Sequence, residues 1–213
     1  MLPVIYLHGF ASSPASSKAR YFHDLLARAG ASVSIPDLAD DDFERLTISG
    51  QLDVLDQAVA GRRVHLMGSS LGGWLAALYA ASHPQVERLV LLAPAFGFNR
   101  RWPERLGTAE MDRWRREGSL EVFHYGESRT RSIGYQLMED AARYPDFPDV
   151  RQPVLIFHGA ADDIVPFRYS EEFAKHRPNV TLEVVDSGHD LLNVLQPIGE
   201  RVREFFGTRP TLD

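Results

Sequence analysis

Short, unbroken apolar runs recur along the chain, and between them the apolar positions fall at helical spacing. "PVIYLHG" (Pro3–Gly9), "ASVSIPDL", "RVHLMG", "VERLVLLAP", "QPVLIFHG" and "VTLEVVDSG" each read as a strand. Between them lie amphipathic stretches: Lys18–Gly30 with its terminal glycine, Ser49–Ala60, "LGGWLAALYAASHP" ended by Pro84, Tyr169–Lys175 and Leu191–Phe206. Runs that are apolar throughout, not alternating, are those of strands buried on both faces. Six of them separated by helices predict an α/β fold: a mostly parallel sheet of about six strands with helices on both faces.

One segment breaks the alternation. From Ala95 to Arg151 no buried-strand run occurs, and Trp102, Trp114, Phe123 and Tyr125 are scattered among arginines and acids in similar number. So long a connection without structure of its own is unusual in a compact domain. The expectation is one domain over residues 1–213, with 96–150 as a helical cap inserted over one end of the sheet. The alternatives are a lid that shapes a substrate pocket and a purely structural excursion.

Composition narrows the classes. The chain has 213 residues, 44% hydrophobic and 24% charged, enough for a substantial core. A net charge of −6 gives no pull toward nucleic acid or an anionic membrane. Without cysteine there is no disulfide and no cysteine-ligated metal or redox site. No apolar run approaches the length of a membrane span. "MLPVIYLHGF" passes directly into a strand pattern with no basic leader, which reads as mature sequence and leaves the cytoplasm as the expected location. Oligomeric state is not legible.

The chemistry gathers where strands end. In "VHLMGSSLGGWLAALYA" (Val64–Ala80) the pattern G-x-S-x-G falls on Gly68, Ser69, Ser70, Leu71 and Gly72, between a strand and a helix. That arrangement lifts the central hydroxyl, here of Ser70, above a sheet edge on a strained turn, and it points the next backbone N–H at the same space. The positive end of the helix dipole adds to it. The competing reading is a Gly/Ser turn that caps the helix.

A serine hydroxyl needs a base, and the base needs an orienting acid. In the chain order Ser, acid, His the acid falls in "HGAADDIVPF" (His158–Phe167), as Asp162 or Asp163, and the base in "DSGHDLL" (Asp186–Leu192), as His189. His176, in the polar end "AKHRP", reads as a surface residue. His8 reads as ordering its loop by hydrogen bonding. Ser12, Ser13, Ser16 and Ser17 are expected as turn and N-cap residues more than as pocket rim. Asp40, Asp41 and Asp42 are adjacent, so their carboxylates diverge, and a solvated loop is expected there, not a metal site.

With "HGF" after the first strand, "GSSLGG" at the elbow, "HGAADDIVP" and "SGH" before the last helix, the chain resembles the α/β-hydrolase family over nearly its whole length. The opening "YLHGFASSPASSKA" resembles the small bacterial esterases of the YqiA/YcfP group. The resemblance implies a minimal six-stranded version of that fold and hydrolysis of an ester, thioester or related acyl bond. Its spacing H-G-x-x-D-x-x-V-P selects Asp162 as the acid. It implies an oxyanion hole from the backbone N–H groups of Leu71 and Phe10, and no cofactor or metal. A serine nucleophile disfavours a haloalkane dehalogenase. A serine esterase for short to medium acyl chains is therefore expected, acting on a small-molecule ester or thioester. A thioesterase, a carbon–carbon bond hydrolase or perhydrolase on the same residues, and a non-catalytic binding member of the fold stand as alternatives.

Overall fold

The computed structural model describes residues 2–40 and 42–207, so Asp41 of the acidic run lies outside the described residues. The chain runs through β1 (Val4–Leu7), α1 (Ser17–Arg28), β2 (Val33–Ser34), α2 (Ile48–Val59), β3 (Val64–Ser69), α3 (Leu71–Ser82) and β4 (Val86–Leu92). An insertion follows, made of α4 (Phe98–Leu106), α5 (Thr108–Glu117), β5 (Ser119–His124), β6 (Arg129–Gly134) and α6 (Gln136–Ala141). The chain returns through β7 (Val154–Gly159), α7 (Arg168–Ala174), β8 (Val180–Val185) and α8 (Leu195–Phe206).

Six strands form one sheet in the order β2-β1-β3-β4-β7-β8, with every pairing parallel. The interior strands β1, β3 and β7 are buried at every position, as their unbroken apolar runs predict, whereas the edge strand β8 is partly exposed along its length. Alternate residues feed two cores. Val4, Tyr6, Val90, Leu92, Leu155 and Phe157 face the layer of α1 and α8, packing on Phe22, Leu26, Ile198 and Val202. Ile5, Leu7, Leu89, Leu91, Val154 and Ile156 face the opposite layer with α2 and α3. Helix α3 is buried on nearly all sides, which explains its almost uniformly apolar sequence.

Two N-caps place helices, the first at Ser16 as the sequence suggests. The Ser16 hydroxyl accepts from Ala19 N–H (3.4 Å) and the Thr47 hydroxyl from Gly50 N–H (3.0 Å). Asp42 plays the same part for the short turn Phe43–Arg45, accepting from Arg45 N–H at 3.2 Å.

The insertion departs from the all-helical expectation. Its middle is an antiparallel hairpin, β5 with β6, in which Ser119 pairs with Gly134 and His124 with Arg129. The local sequence supplies the reason. In "SLEVFH" the residues Leu120, Val122 and His124 alternate inward with Glu121 and Phe123 outward, and "YGES" makes the turn. Polar contacts tie the insertion to the body. Ser49 on α2 donates its N–H (2.6 Å) and hydroxyl (2.8 Å) to Asp140, and Trp74 Nε1–H donates to the Pro145 carbonyl at 3.1 Å. Among the described residues no helix is long and apolar enough to cross a membrane.

Candidate active site

The parallel sheet brings the C-terminal ends of β1, β3, β4 and β7 to one edge, where open α/β sheets present their ligand sites. Ser70 occupies the turn between β3 and α3, with φ 53° and ψ −118°. A non-glycine residue in that region carries a strain of order 1–3 kcal/mol. The fold holds it there from both sides: Ser70 N–H donates to Leu92 O (2.9 Å), and Ser70 O accepts from Ala95 N–H (2.9 Å).

The flanking glycines have a steric reason. A Cβ on Gly68 would fall on the carbonyl of Gly72, and a Cβ on Gly72 on the carbonyls of Leu7 and His8. Only without side chains can β1, β3 and α3 approach closely enough to form the turn. Ser69 is buried while Ser70 is half-buried, so the two serines face different surroundings.

Ser70, His189 and Asp162 stand in one hydrogen-bonded line. His189 Nε2 is 3.1 Å from Ser70 Oγ, and His189 Nδ1 is 2.7 Å from Asp162 Oδ2. The other carboxylate oxygen, Oδ1, accepts from the N–H groups of Ile164 (2.9 Å) and Val165 (2.8 Å). Burial by itself would push this carboxyl up. Hydrogen bonds from His158 and His189, the charge on His189 when protonated and the Val165 N–H outweigh burial and hold it well below the ordinary carboxylate range. Asp163, the neighbouring candidate, is exposed.

Leu71 opens α3, so its N–H has no partner one turn earlier in the helix. Phe10 follows Gly9, whose backbone runs against Ser70: a Cβ at Gly9 would stand 3.4 Å from that of Ser70. The loop carrying Phe10 is anchored from behind. His8 Nε2 accepts from Leu38 N–H (3.2 Å), which leaves Nδ1–H to donate to Gly9 O (3.0 Å). From the insertion, Tyr125 N–H donates to Ala11 O at 2.7 Å. The Phe10 ring meets Trp102 edge-on, with centroids 5.7 Å apart.

Of the large aromatics in the insertion, Trp114 is fully buried and donates its Nε1–H to Ile133 O at 3.0 Å. Phe123 and Tyr125 are 51% and 74% exposed on the hairpin. Trp102 is half-buried against Phe10, Phe98 and Trp114.

Three polar residues about this edge were not assigned roles from the sequence. His158, on β7, is fully buried against Asp162. Its signal was its place four residues before the acid, at the end of a buried strand. Arg101, on α4, donates to the carbonyls of Phe96 (3.1 Å) and Ile164 (3.1 Å), joining the insertion to the loops after β4 and β7. Lys18 sits in the first turn of α1; burial pushes its ammonium down to about 8, against the pull of the Asp190 and Asp162 charges.

Residues 3–207 match the family described as Uncharacterised protein family (UPF0227). The chain belongs to that family. This UPF0227 member is 27% identical, over 85% of its own length, to the palmitoyl-protein thioesterase ABHD10, mitochondrial, of Bos taurus, and it spans 64% of the length of that relative. Among solved structures it superposes on alpha/beta hydrolase domain-containing protein 10 from mouse with TM-score 0.81, at 22% identity over 96% of this chain and 89% of that one. It superposes on the ferulic acid complex of Est1E from Butyrivibrio proteoclasticus with TM-score 0.80, at 23% identity over 96% and 88%. The UPF0227 chain thus has the α/β-hydrolase fold, and a protein named a palmitoyl-protein thioesterase is among its relatives.

Proposed function

We propose that this protein is a serine hydrolase that cleaves short to medium acyl esters through an acyl-enzyme. Ser70 is the nucleophile, His189 the general base, Asp162 the orienting acid, and the N–H groups of Leu71 and Phe10 the oxyanion donors. The observation that carries the reading is the line Asp162–His189–Ser70, at 2.7 and 3.1 Å, ending on a serine held at positive φ.

Ser70 Oγ attacks the acyl carbonyl while its proton passes to His189 Nε2. The carbonyl electrons move onto oxygen, facing the two N–H groups. Collapse of the tetrahedral species breaks the bond to the leaving alcohol, which departs with the proton from His189. Water then repeats the cycle on the acyl-enzyme and releases the acid. Asp162 remains ionised throughout, holding Nδ1–H toward itself so that Nε2 is free to accept.

In this reading residues 96–150 form a cap, with Trp102 beside the Phe10 loop bounding the acyl side. No metal or cofactor has a step in it. A second reading, a thioesterase on the same residues, is favoured by the name of the bovine relative. The deciding experiment is kcat/KM over p-nitrophenyl esters from C2 to C12 and matched acyl-CoAs, together with fluorophosphonate labelling. Labelling of Ser70 with preference for the short esters supports the first reading, and preference for the thioesters the second. Absence of labelling and turnover overturns both and leaves a binding member of the fold.

A further inference from the structure

His158 occupies the next-to-last position of β7, with none of its surface exposed. Its Nε2 lies 2.6 Å from the Val165 carbonyl oxygen and 3.1 Å from Asp162 Oδ2. Both neighbours accept only, so this nitrogen carries a hydrogen and shares it between them. The opposite nitrogen, Nδ1, is 2.7 Å from the hydroxyl of Ser170, which is equally buried on α7. With Nε2 donating, the Ser170 hydroxyl donates to Nδ1, and both ring nitrogens have partners.

The consequence is a closed loop of hydrogen bonds behind the acid. Val165 gives its N–H to Asp162 Oδ1 and its carbonyl to His158, and His158 returns to Asp162 Oδ2. The carboxylate then has four donors: Ile164 N–H, Val165 N–H, His158 Nε2–H and His189 Nδ1–H. Only the last of these belongs to the line that reaches Ser70.

We propose that His158 is a positioning residue for the acid, with Asp162 and Val165 setting its tautomer and Ser170 satisfying its second nitrogen. It holds Oδ2 in the plane that His189 needs, and it disperses the carboxylate charge so that Asp162 stays ionised without drawing the proton off His189. The proposal rests on the reading of Asp162 as the orienting acid. It predicts a graded series. His158→Phe keeps the ring and loses both nitrogens. His158→Gln keeps a donor at nearly the reach of Nε2. Ser170→Ala leaves Nδ1 without its donor.

The test uses the full chain and two kinds of measurement. The first is carboxyl 13C NMR of Asp162 against pH and imidazole 15N NMR of His158, neither of which depends on substrate. The second is kcat and its pH profile for p-nitrophenyl butyrate, normalised to the fraction of protein labelled by a fluorophosphonate. Expected for His158→Phe is a titration of Asp162 at higher pH than in the unmodified chain. A loss of about 10- to 100-fold in kcat, the scale of one hydrogen bond to a charged group, should accompany it, with KM little changed. The ascending limb should move to higher pH, because a carboxylate with one donor fewer holds the proton on His189 more strongly. His158→Gln should recover most of kcat and return the limb. The unmodified chain should show the single Nε2–H 15N pattern, and Ser170→Ala should keep it while lowering kcat less than His158→Phe does; this keeps the proposal open to refutation should His158→Phe not fold.

An Asp162 titration that does not move in His158→Phe, or 15N signals of the unmodified chain that place the hydrogen on Nδ1 of His158, overturns the proposal. So does a loss of active fraction with kcat per labelled site and the pH limb unchanged, since that marks packing alone. Failure of the functional reading looks different: the unmodified chain would neither label nor turn over ester, while the NMR arms would still report on His158.

Discussion

His189 Nδ1 lies 2.7 Å from Asp162 Oδ2, although 27 positions separate the two residues in the chain. The contact spans two loops, one after β7 and one after β8, whose parallel pairing sets them side by side. Asp162→Asn presents an amide to His189 and favours the wrong tautomer, so kcat should fall by roughly four orders of magnitude. Asp163→Asn should stay near the parent value, because that side chain is exposed. Equal losses in the two variants would rule out the assignment.

The same carboxylate gives a pH signature. Its folded-state titration lies below the ordinary range, whereas in the unfolded chain it returns to roughly 3.9. A depressed acid contributes stability that is fully present above the unfolded value and is lost as pH falls below it. Urea unfolding should therefore lose stability below about pH 4 more steeply in the parent than in Asp162→Asn. Parallel curves for the two chains would show that the native-state bonds to Asp162 do not bear on stability.

Ser70→Ala should abolish both ester turnover and fluorophosphonate labelling, while Ser69→Ala retains labelling. The hydroxyl of Ser70 faces His189 at 3.1 Å, and Ser69 is buried within β3. Loss of labelling in the Ser69 variant alone would move the nucleophile.

Lys18 should lower stability at neutral pH. Its ammonium titrates at about 8 when folded and about 10.4 when unfolded, so between those values the unfolded chain binds more protons and stability rises with pH. Lys18→Met removes that penalty. Its Tm at pH 7 should exceed the parent by about 3 °C, and the difference should shrink toward pH 10. A lower Tm at pH 7, or a gap independent of pH, would show that the ammonium is not penalised by burial.

The two tryptophans of the insertion should separate. Trp114 is fully buried with its N–H satisfied, so Trp114→Ala opens a cavity and should cost about 3–5 kcal/mol by denaturant unfolding. Trp102 meets the Phe10 ring, so Trp102→Ala should change the ratio of kcat/KM between C4 and C12 esters with a smaller loss of stability. An unchanged ratio would remove Trp102 from the acyl side.

What the sequence determined by itself was set by short-range physics. Apolar runs that spare no position demand burial on both faces, so β1, β3 and β7 were legible as interior strands and the sheet as parallel. Gly68 and Gly72 around Ser70 announced a turn that no Cβ survives, and Ser16 announced a helix start. The hairpin β5–β6 was written in the alternation of Leu120, Val122 and His124, but that signal lay inside a segment whose length and scattered tryptophans pointed to helices. Other features depended on groups brought together only by the tertiary fold. That His158 shares its Nε2 hydrogen between Asp162 and Val165 follows from the turn after β7 folding back on its own strand. Ser170 completes the set from the neighbouring helix. That Trp114 is interior depends on Trp102, Ile133 and Tyr135 closing around it from separate elements of the insertion. Periodicity reports which face of an element is apolar; it carries no information about what covers that face, because packing is a contact between residues far apart in the chain.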